Sequence, residues 1–529
     1  MSGSLRSALV LTAILIVVGK ITGFLRDVVM AFTYGADKAT DAFFVANVVP
    51  SICLIAFYST IPLAFIPFYI RKLENAGSEA AGKYASAMLW FYLGVTLAIT
   101  VFTMATAGWF VGLLAPQFDA PTTARAVELV RIFTISFVFS TACAFLSAIQ
   151  YAHNVHLGQQ LSPLINNTIV IVALLLYGRQ FGITFAAAAI VFGWVVQLPV
   201  QAYFSRRYFK PMLSWSVTRS DLSTLAAMSA PVFLTLFIEQ GLAATTAYFA
   251  SAMDEGAVSV MNYANKLANL PLTLGTLLIT VYIYPVLSRY AARDDIDGLK
   301  TYFISILKVI AWLAVPVVAG CAMRGDIVSF LAYGHSKLAA TEVEAIGRIF
   351  SLLVVGIFFL LLREIFNRCF YTLGMGMPVV ALTALLIVCT VVFCMMLAPR
   401  LQLEGLAIAV ALAAFIAFAV QAVVLNRIIG LKGTGMRFPA ACVAGLAAML
   451  AILFAEDLFW PGLSYFARIP IAALSGAAYI AVSLLLGGRP WSGIAMDEAV
   501  RPAHGAPYRA SSRPEPEQDE TGERQDAPR

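Results

Sequence analysis

Stretches of about twenty mostly apolar residues recur along almost the whole of this 529-residue chain, and they leave it few ways to fold. A helix of about twenty residues, rising about 1.5 Å each, crosses the hydrocarbon core of a bilayer. Inside lipid each backbone N–H and C=O needs a partner from the chain itself, and a helix supplies all of them locally. The reading is therefore an all-α integral membrane protein. Composition agrees: 60% of residues are hydrophobic and only 12% charged, and the mean hydropathy is +0.85. Those values exclude an ordinary soluble domain.

Polar punctuation divides the runs into about fourteen spans, at 8–33, 41–70, 84–113, 126–151, 160–177, 183–204, 224–250, 258–287, 301–322, 344–372, 378–398, 404–426, 437–455 and 466–487. The first run lacks a small-x-small cleavage site followed by a soluble domain, so it reads as a true span and not a signal peptide. Lys and Arg concentrate in alternate loops, at Arg71, Lys72 and Lys83, at Arg206, Arg207, Lys210 and Arg219, at Arg289, Arg293 and Lys300, and at Arg427, Lys432 and Arg437. By the positive-inside rule both termini are expected in the cytoplasm. The pI near 8.9 follows from these loop charges, and no nucleic-acid patch is expected.

The chain also echoes itself. Asp41-Ala-Phe-Phe-Val-Ala-Asn-Val-Val-Pro50 resembles Asn262-Tyr-Ala-Asn-Lys-Leu-Ala-Asn-Leu-Pro271, and each is followed by a second proline, Pro67 and Pro285. Pro163 and Pro378 open the fifth and eleventh spans at a similar offset. The pattern points to a duplicated six-span unit. The expected organisation is an N-terminal lobe over 1–222, a C-terminal lobe over 223–430, two additional spans over 431–488 and a disordered cytoplasmic tail over 489–529. The tail mixes Pro, Glu, Arg, Gln and Gly with few large apolar side chains.

Charges inside the apolar runs are the candidate functional residues. A charge at the bilayer centre costs roughly 2.5–3.5 kcal/mol on insertion scales, and those kept usually face a wet, protein-lined cavity. Lys20, Arg26 and Asp27 lie in the first span, with Gly19 and Gly23 permitting close helix approach or a kink. Asp27 and Arg26 are also near enough to the end of that run to reach headgroups, and Asp27 is left outside the expected site on that ground. Asp41 starts the second span, either as a helix-terminal acid or as a cavity residue. Asn47 and Pro50 follow further in, the proline bending the helix. In the eighth span Asn262, Lys266 and Asn269 fall at i, i+4 and i+7, a polar and basic stripe suited to lining a cavity. Glu239, in the seventh, is a proton or cation site or else the partner of a buried base. Glu364 and Arg368 are spaced for a helical ion pair.

The seven cysteines lie mostly in apolar runs without a C-x-x-C pair, and the four histidines show no metal-ligand spacing. There is no phosphate-binding loop, dinucleotide fingerprint or nucleophile–base set. No cofactor, no metal and no enzymatic activity are expected. A two-lobed bundle with a basic central cavity fits alternating access by a secondary transporter.

Gly23-Phe-Leu-Arg-Asp27, followed by Tyr34-Gly-Ala-Asp-Lys-Ala-Thr-Asp-Ala-Phe-Phe-Val-Ala46, resembles the opening of the lipid II flippases, the MurJ/MviN family. That family belongs to the multidrug/oligosaccharidyl-lipid/polysaccharide exporter group. Ala64-Phe-Ile-Pro67, Tyr263-Ala-Asn-Lys-Leu267 and Phe370-Tyr-Thr-Leu-Gly-Met-Gly-Met-Pro378 look like three further family segments, and the likeness runs over about 8–485. It implies a flippase that carries an undecaprenyl-pyrophosphate-linked saccharide across the bacterial cytoplasmic membrane for peptidoglycan synthesis. The implied pyrophosphate-binding residues are Lys20, Arg26 and Lys266, with Asp41 as the second-helix acid. The implied partners are the lipid-linked saccharide, membrane lipids and proteins of cell-wall or polysaccharide synthesis. The last two helices would form a groove for the lipid tail.

Two departures bear on the cargo. Lys20 and Lys266 stand where the family commonly has arginine, and a lysine lacks the bidentate fork. A basic pair usual in the second helix is absent from Ser51-Ile-Cys-Leu-Ile-Ala56. A flippase for an exopolysaccharide or O-antigen repeat unit is therefore the alternative. A multidrug or cation antiporter is another, against which the cavity bases argue. A scaffold that docks partners through its tail is the third.

Overall fold

The computed structural model describes residues 3–214, 218–431 and 437–487, and every regular element among them is helical. The predicted tail 489–529 and Lys432 lie outside the described residues. In chain order the helices are α1 (Gly3–Tyr34), α2 (Lys38–Pro50), α3 (Ala56–Ala105), α4 (Ala107–Leu114), α5 (Ala120–Ala152), α6 (Leu157–Ala173), α7 (Arg179–Ser205) and α8 (Arg219–Ala250). After them come α9 (Ala257–Leu278), α10 (Tyr284–Ala292), α11 (Ile296–Met323), α12 (Gly325–Tyr333), α13 (Ala340–Thr372), α14 (Gly376–Ile429), α15 (Arg437–Phe459) and α16 (Tyr465–Leu485).

Among the described residues nine helical stretches are long and apolar enough to cross a membrane. Some hold more than one predicted span. α14 has 54 residues, about 81 Å if straight and far more than a bilayer core is thick. It breaks at Gln402 (φ 48°), inside the loop expected between 398 and 404. α3 breaks at Gly77 (φ 79°) and α7 at Gly182 (φ 70°), again within expected loops. Both glycines occupy the left-handed region that a side chain disfavours. The nine-residue α12 is too short for a span and lies within the loop expected between 322 and 344.

Proline interrupts the helices that carry the polar residues. α2 ends at Pro50 and runs into a π-turn over Ser51–Ile55, and α9 meets another π-turn at Ile279–Ile283, just before Pro285. A proline lacks the N–H that would close the ladder, and the backbone widens where the ladder fails.

The largest core joins α1, α2, α5, α9 and α13. Phe43 packs edge-on against Phe133 at 5.3 Å, and Phe44 against Tyr263 at 5.3 Å. Large apolar side chains such as Val101, Leu176, Phe181, Val388 and Phe454 are more than half exposed at the periphery. In water they would form an aggregation-prone surface; in lipid they are the required outer face.

α15 and α16 dock on α11 through an aromatic and an ionic contact. Trp312 donates to Ser483 at 2.8 Å and packs near Tyr479. Arg324 reaches Glu456 at 3.1 Å and Asp457 at 3.0 Å. Arg324 and Glu456 are buried. Arg468 also lies 3.7 Å from Glu456, a convergence of residues distant in the chain that a linear sequence does not reveal.

Candidate functional site: a basic cavity between two helices

α1 presents its charges where α6 approaches closely. A side chain at Gly23 would come within 3.3 Å of Asn167 Nδ2, and one at Gly19 within 3.5 Å of Pro163. The two glycines therefore bring α6 close, as their spacing predicted. Asn167 uses that proximity: its Nδ2 donates to the Gly19 carbonyl at 3.4 Å, and its Oδ1 accepts from Arg26 Nη1 at 3.2 Å. Arg26 is thus aimed by α6 as well as by its own helix.

The rest of the Arg26 guanidinium grips Asp27. Nε and Nη2 lie 3.2 and 2.9 Å from Asp27 Oδ1. Lys266 Nζ of α9 lies 3.6 Å from the other oxygen, Oδ2. Asp27 is only 8% exposed, so it bridges the two cations inside the protein. The headgroup position considered for Asp27 from sequence is corrected here: close packing of α6 and the facing α9 enclose it, and flanking cations compensate its charge.

Three cavities meet at Lys266. One of about 430 Å³ is lined by Lys20, Arg26, Asp27, Lys266 and Asn269. A second, about 250 Å³, is bounded by Arg26, Asp27, Asn47, Asn262 and Lys266. The third, about 410 Å³, is walled by Asn47, Asn262, Asn265, Lys266 and Asn269. The α9 stripe does line a cavity, and Lys20, Arg26 and Lys266 share one. Lys20 is exposed to that space and has no ion-pair partner among the described residues.

Asp41 stands apart from this wall. Its carboxylate accepts from the N–H groups of Gly256 and Ser259, each at 2.8 Å, and from the Ser259 hydroxyl at 2.6 Å. It caps α9, while Asp37 caps its own helix through a reciprocal pair with Thr40. The sequence left Asp41 as a helix-terminal acid or a cavity residue; tertiary packing hands it to the open N–H groups of another helix. Around it, Tyr263 donates to the Gly35 carbonyl at 3.0 Å, and Lys38 pairs with Asp119 at 2.7 Å. The end of the bundle that carries the α1–α2 turn is laced shut.

Glu239 of α8 lines none of the three cavities. It lies within electrostatic range of Arg363, Glu364 and Arg368 of α13. Glu364 and Arg368 pair at 2.6 Å, as their spacing predicted, and Arg363 donates to Thr383 at 3.0 Å. An apolar groove of about 440 Å³ runs between α9, α11 and α13, past Leu272, Tyr282, Leu313 and Phe358. α15 and α16 contact another face of α11, through Trp312, Val315 and Ala319. None of the described residues lining this groove comes from α15 or α16.

Sequence reasoning missed Asn166 and Asn167. Adjacent amides inside the run 160–177 were the available signal, since amides in a span need partners.

A sequence profile described as lipid II flippase MurJ matches residues 30–471. The chain belongs to the lipid II flippase MurJ family. A probable lipid II flippase MurJ of Thermotoga maritima is 25% identical over 358 residues, covering 66% of this chain and 71% of that protein. A solved lipid II flippase MurJ in an inward closed conformation superposes with a TM-score of 0.75 at 18% identity, over 93% of this chain and 100% of that one. An inward-facing multidrug transporter of the MATE family, in the MOP superfamily, follows with a TM-score of 0.67 at 16% identity, over 78% and 94%. At those identities the two structures speak for the fold alone. MurJ membership also places the chain among multi-pass membrane proteins, in agreement with its apolar helices.

Proposed function

We propose that this chain is a flippase for lipid II, carrying the lipid-linked saccharide from the inner to the outer leaflet by alternating access. It is a transporter and not an enzyme. Membership of the MurJ family supports the activity. The observation that supports the site is the meeting of Lys20, Arg26 and Lys266, from two different helices, around one cavity. Among the described lining residues Asp27 is the one acid against these three cations, so the wall is net basic and suits a pyrophosphate with ionised oxygens. Arg26 offers a planar fork, while the two lysines act as mobile point charges.

In this reading Asp27 keeps Arg26 and Lys266 in place until phosphate oxygens take over part of the pairing. The 1–222 and 223–430 lobes rock about the cavity, α1 belonging to the first and α9 to the second. The Asp41 cap on α9 is a seal at the outer end, broken and remade in each cycle. The apolar groove beside Leu272 and Phe358 receives the polyprenyl tail. Both termini lie in the cytoplasm, the membrane is the bacterial inner membrane, and the protein partners are those that make and consume the cell-wall precursor. Glu239, compensated by two arginines, serves as an ion-pair residue of the second lobe.

One feature favours a second reading. Ser51 and Leu54 line the 250 Å³ cavity without a charge, where the resemblance leads one to expect a basic pair. That feature suits a lipid-linked exopolysaccharide or O-antigen unit. A strain depleted of its own lipid II flippase decides between them: growth restored by this chain supports lipid II, and lysis despite normal membrane abundance favours the other cargo.

A further inference from the structure

We infer that the 250 Å³ cavity beside the cation centre is a saccharide subsite, an inference that rests on the flippase reading. One wall is shared: Arg26, Asp27 and Lys266 line this space as well as the 430 Å³ cavity. A group bonded to a pyrophosphate held at those cations would enter it directly. Beyond that wall the described lining residues carry no ionised side chain. They include Asn47, Asn166, Ser136, Ser140 and Trp194, with Ser51, Tyr58 and Asn262 as further polar groups among apolar residues.

The first five provide what a neutral, hydroxyl-rich ring can use. The hydroxyls of Ser136 and Ser140 already donate to the carbonyls of Phe133 at 2.6 Å and Phe137 at 3.0 Å. Their remaining lone pairs are left to accept. Asn166 supplies the opposite function: it is 8% exposed, and its Nδ2 has no hydrogen-bond partner among the described residues. Such a buried donor is costly unless a ligand or water completes it. Space for it is kept by Gly193, where a Cβ would lie 2.6 Å from that nitrogen. Trp194 adds a half-buried indole face against which the C–H face of a sugar ring can lie. An anion would find no cation at this end, and an acyl tail would meet amides. A sugar satisfies both the hydrogen-bonding groups and the ring face.

The test measures binding to the purified full chain in lipid nanodiscs with two probes, undecaprenyl pyrophosphate and lipid II. Asn166→Ala and Trp194→Ala are expected to weaken lipid II binding roughly fivefold each, with undecaprenyl pyrophosphate unchanged. Retained binding of the bare pyrophosphate reports that each variant is folded. Ser140→Ala serves as a third variant and is expected to act in the same direction. Equal loss of both probes, or loss of neither, overturns the subsite. Arg26→Ala is expected to weaken both probes; if it weakens neither, the cation centre fails instead.

Discussion

Asp27 divides its carboxylate between two helices, holding Arg26 of its own helix at 2.9 Å by one oxygen and Lys266 of α9 at 3.6 Å by the other. One acid therefore sets the separation of two bases that must act together on an anion. Asp27→Asn leaves both cations without their counter-charge in a mostly enclosed space. Their side chains are 24% and 41% exposed, so solvent screens part of the loss, and a destabilisation of about 1–2 kcal/mol is expected. Thermal unfolding in detergent measures it. Added undecaprenyl pyrophosphate should raise the melting temperature of the variant more than that of the parent, because the ligand supplies the missing negative charge.

Asp41→Ala removes the acceptor for three donors at the start of α9. Loss of such a cap costs about 0.5–2 kcal/mol, here drawn from the sealed arrangement. A cysteine placed at Ala36, whose carbonyl lies against Gly256, should react faster with a membrane-impermeant thiol reagent in the Asp41→Ala background. Asp41→Asn, which keeps one carbonyl oxygen, should fall between the two. An unchanged labelling rate would mean that Asp41 does not hold this end closed.

The Lys38–Asp119 pair lies outside the spans and lends the sealed end a pH dependence. The Lys38 ammonium and the hydroxyl and N–H donors of Thr122 hold the Asp119 carboxyl well below the usual carboxylate range. A depressed folded-state pKa means the contribution is complete above the unfolded value of about 3.9 and fades as the pH falls through the lower, folded value. Both side chains are well exposed, so the effect is small and salt-sensitive. The melting temperatures of the parent and of Asp119→Asn should differ at neutral pH and low salt, then converge below about pH 4.

Arg324 anchors the last two helices through Glu456 and Asp457. Arg324→Ala takes from Glu456, which is 1% exposed, its nearer partner and leaves Arg468 at 3.7 Å, so the loss should fall below the about 3–5 kcal/mol of a fully stranded buried charge. Limited proteolysis should then cut between α14 and α15 sooner than in the parent. Replacing both partners, as Arg324→Met with Glu456→Leu, should recover much of the loss.

The sequence made the helical class legible because bilayer thickness leaves few options for apolar runs of this length. It also marked Lys20, Arg26 and Lys266, since a charge in a span needs a reason to be there. Asp27 was lost because one helix cannot show that α6 and α9 close around it. Asp41 was left open as a helix-terminal acid or a cavity residue, and the N–H groups it caps belong to a helix more than 200 residues away. Asn166 and Asn167 passed unnoticed because, unlike Asn262 and Asn269, they do not fall in step with a charged residue on their helix. Local chemistry was readable; the convergence of distant helices was not.

The central claim is that Arg26 and Lys266 jointly hold the pyrophosphate during transport. Its most direct test is lipid II translocation by purified protein in proteoliposomes, comparing the parent with Arg26→Ala and Lys266→Ala reconstituted to equal amounts. The account predicts translocation by the parent and only background from either variant, with Arg26→Lys retaining part of the rate. Full-rate translocation by both alanine variants would contradict it.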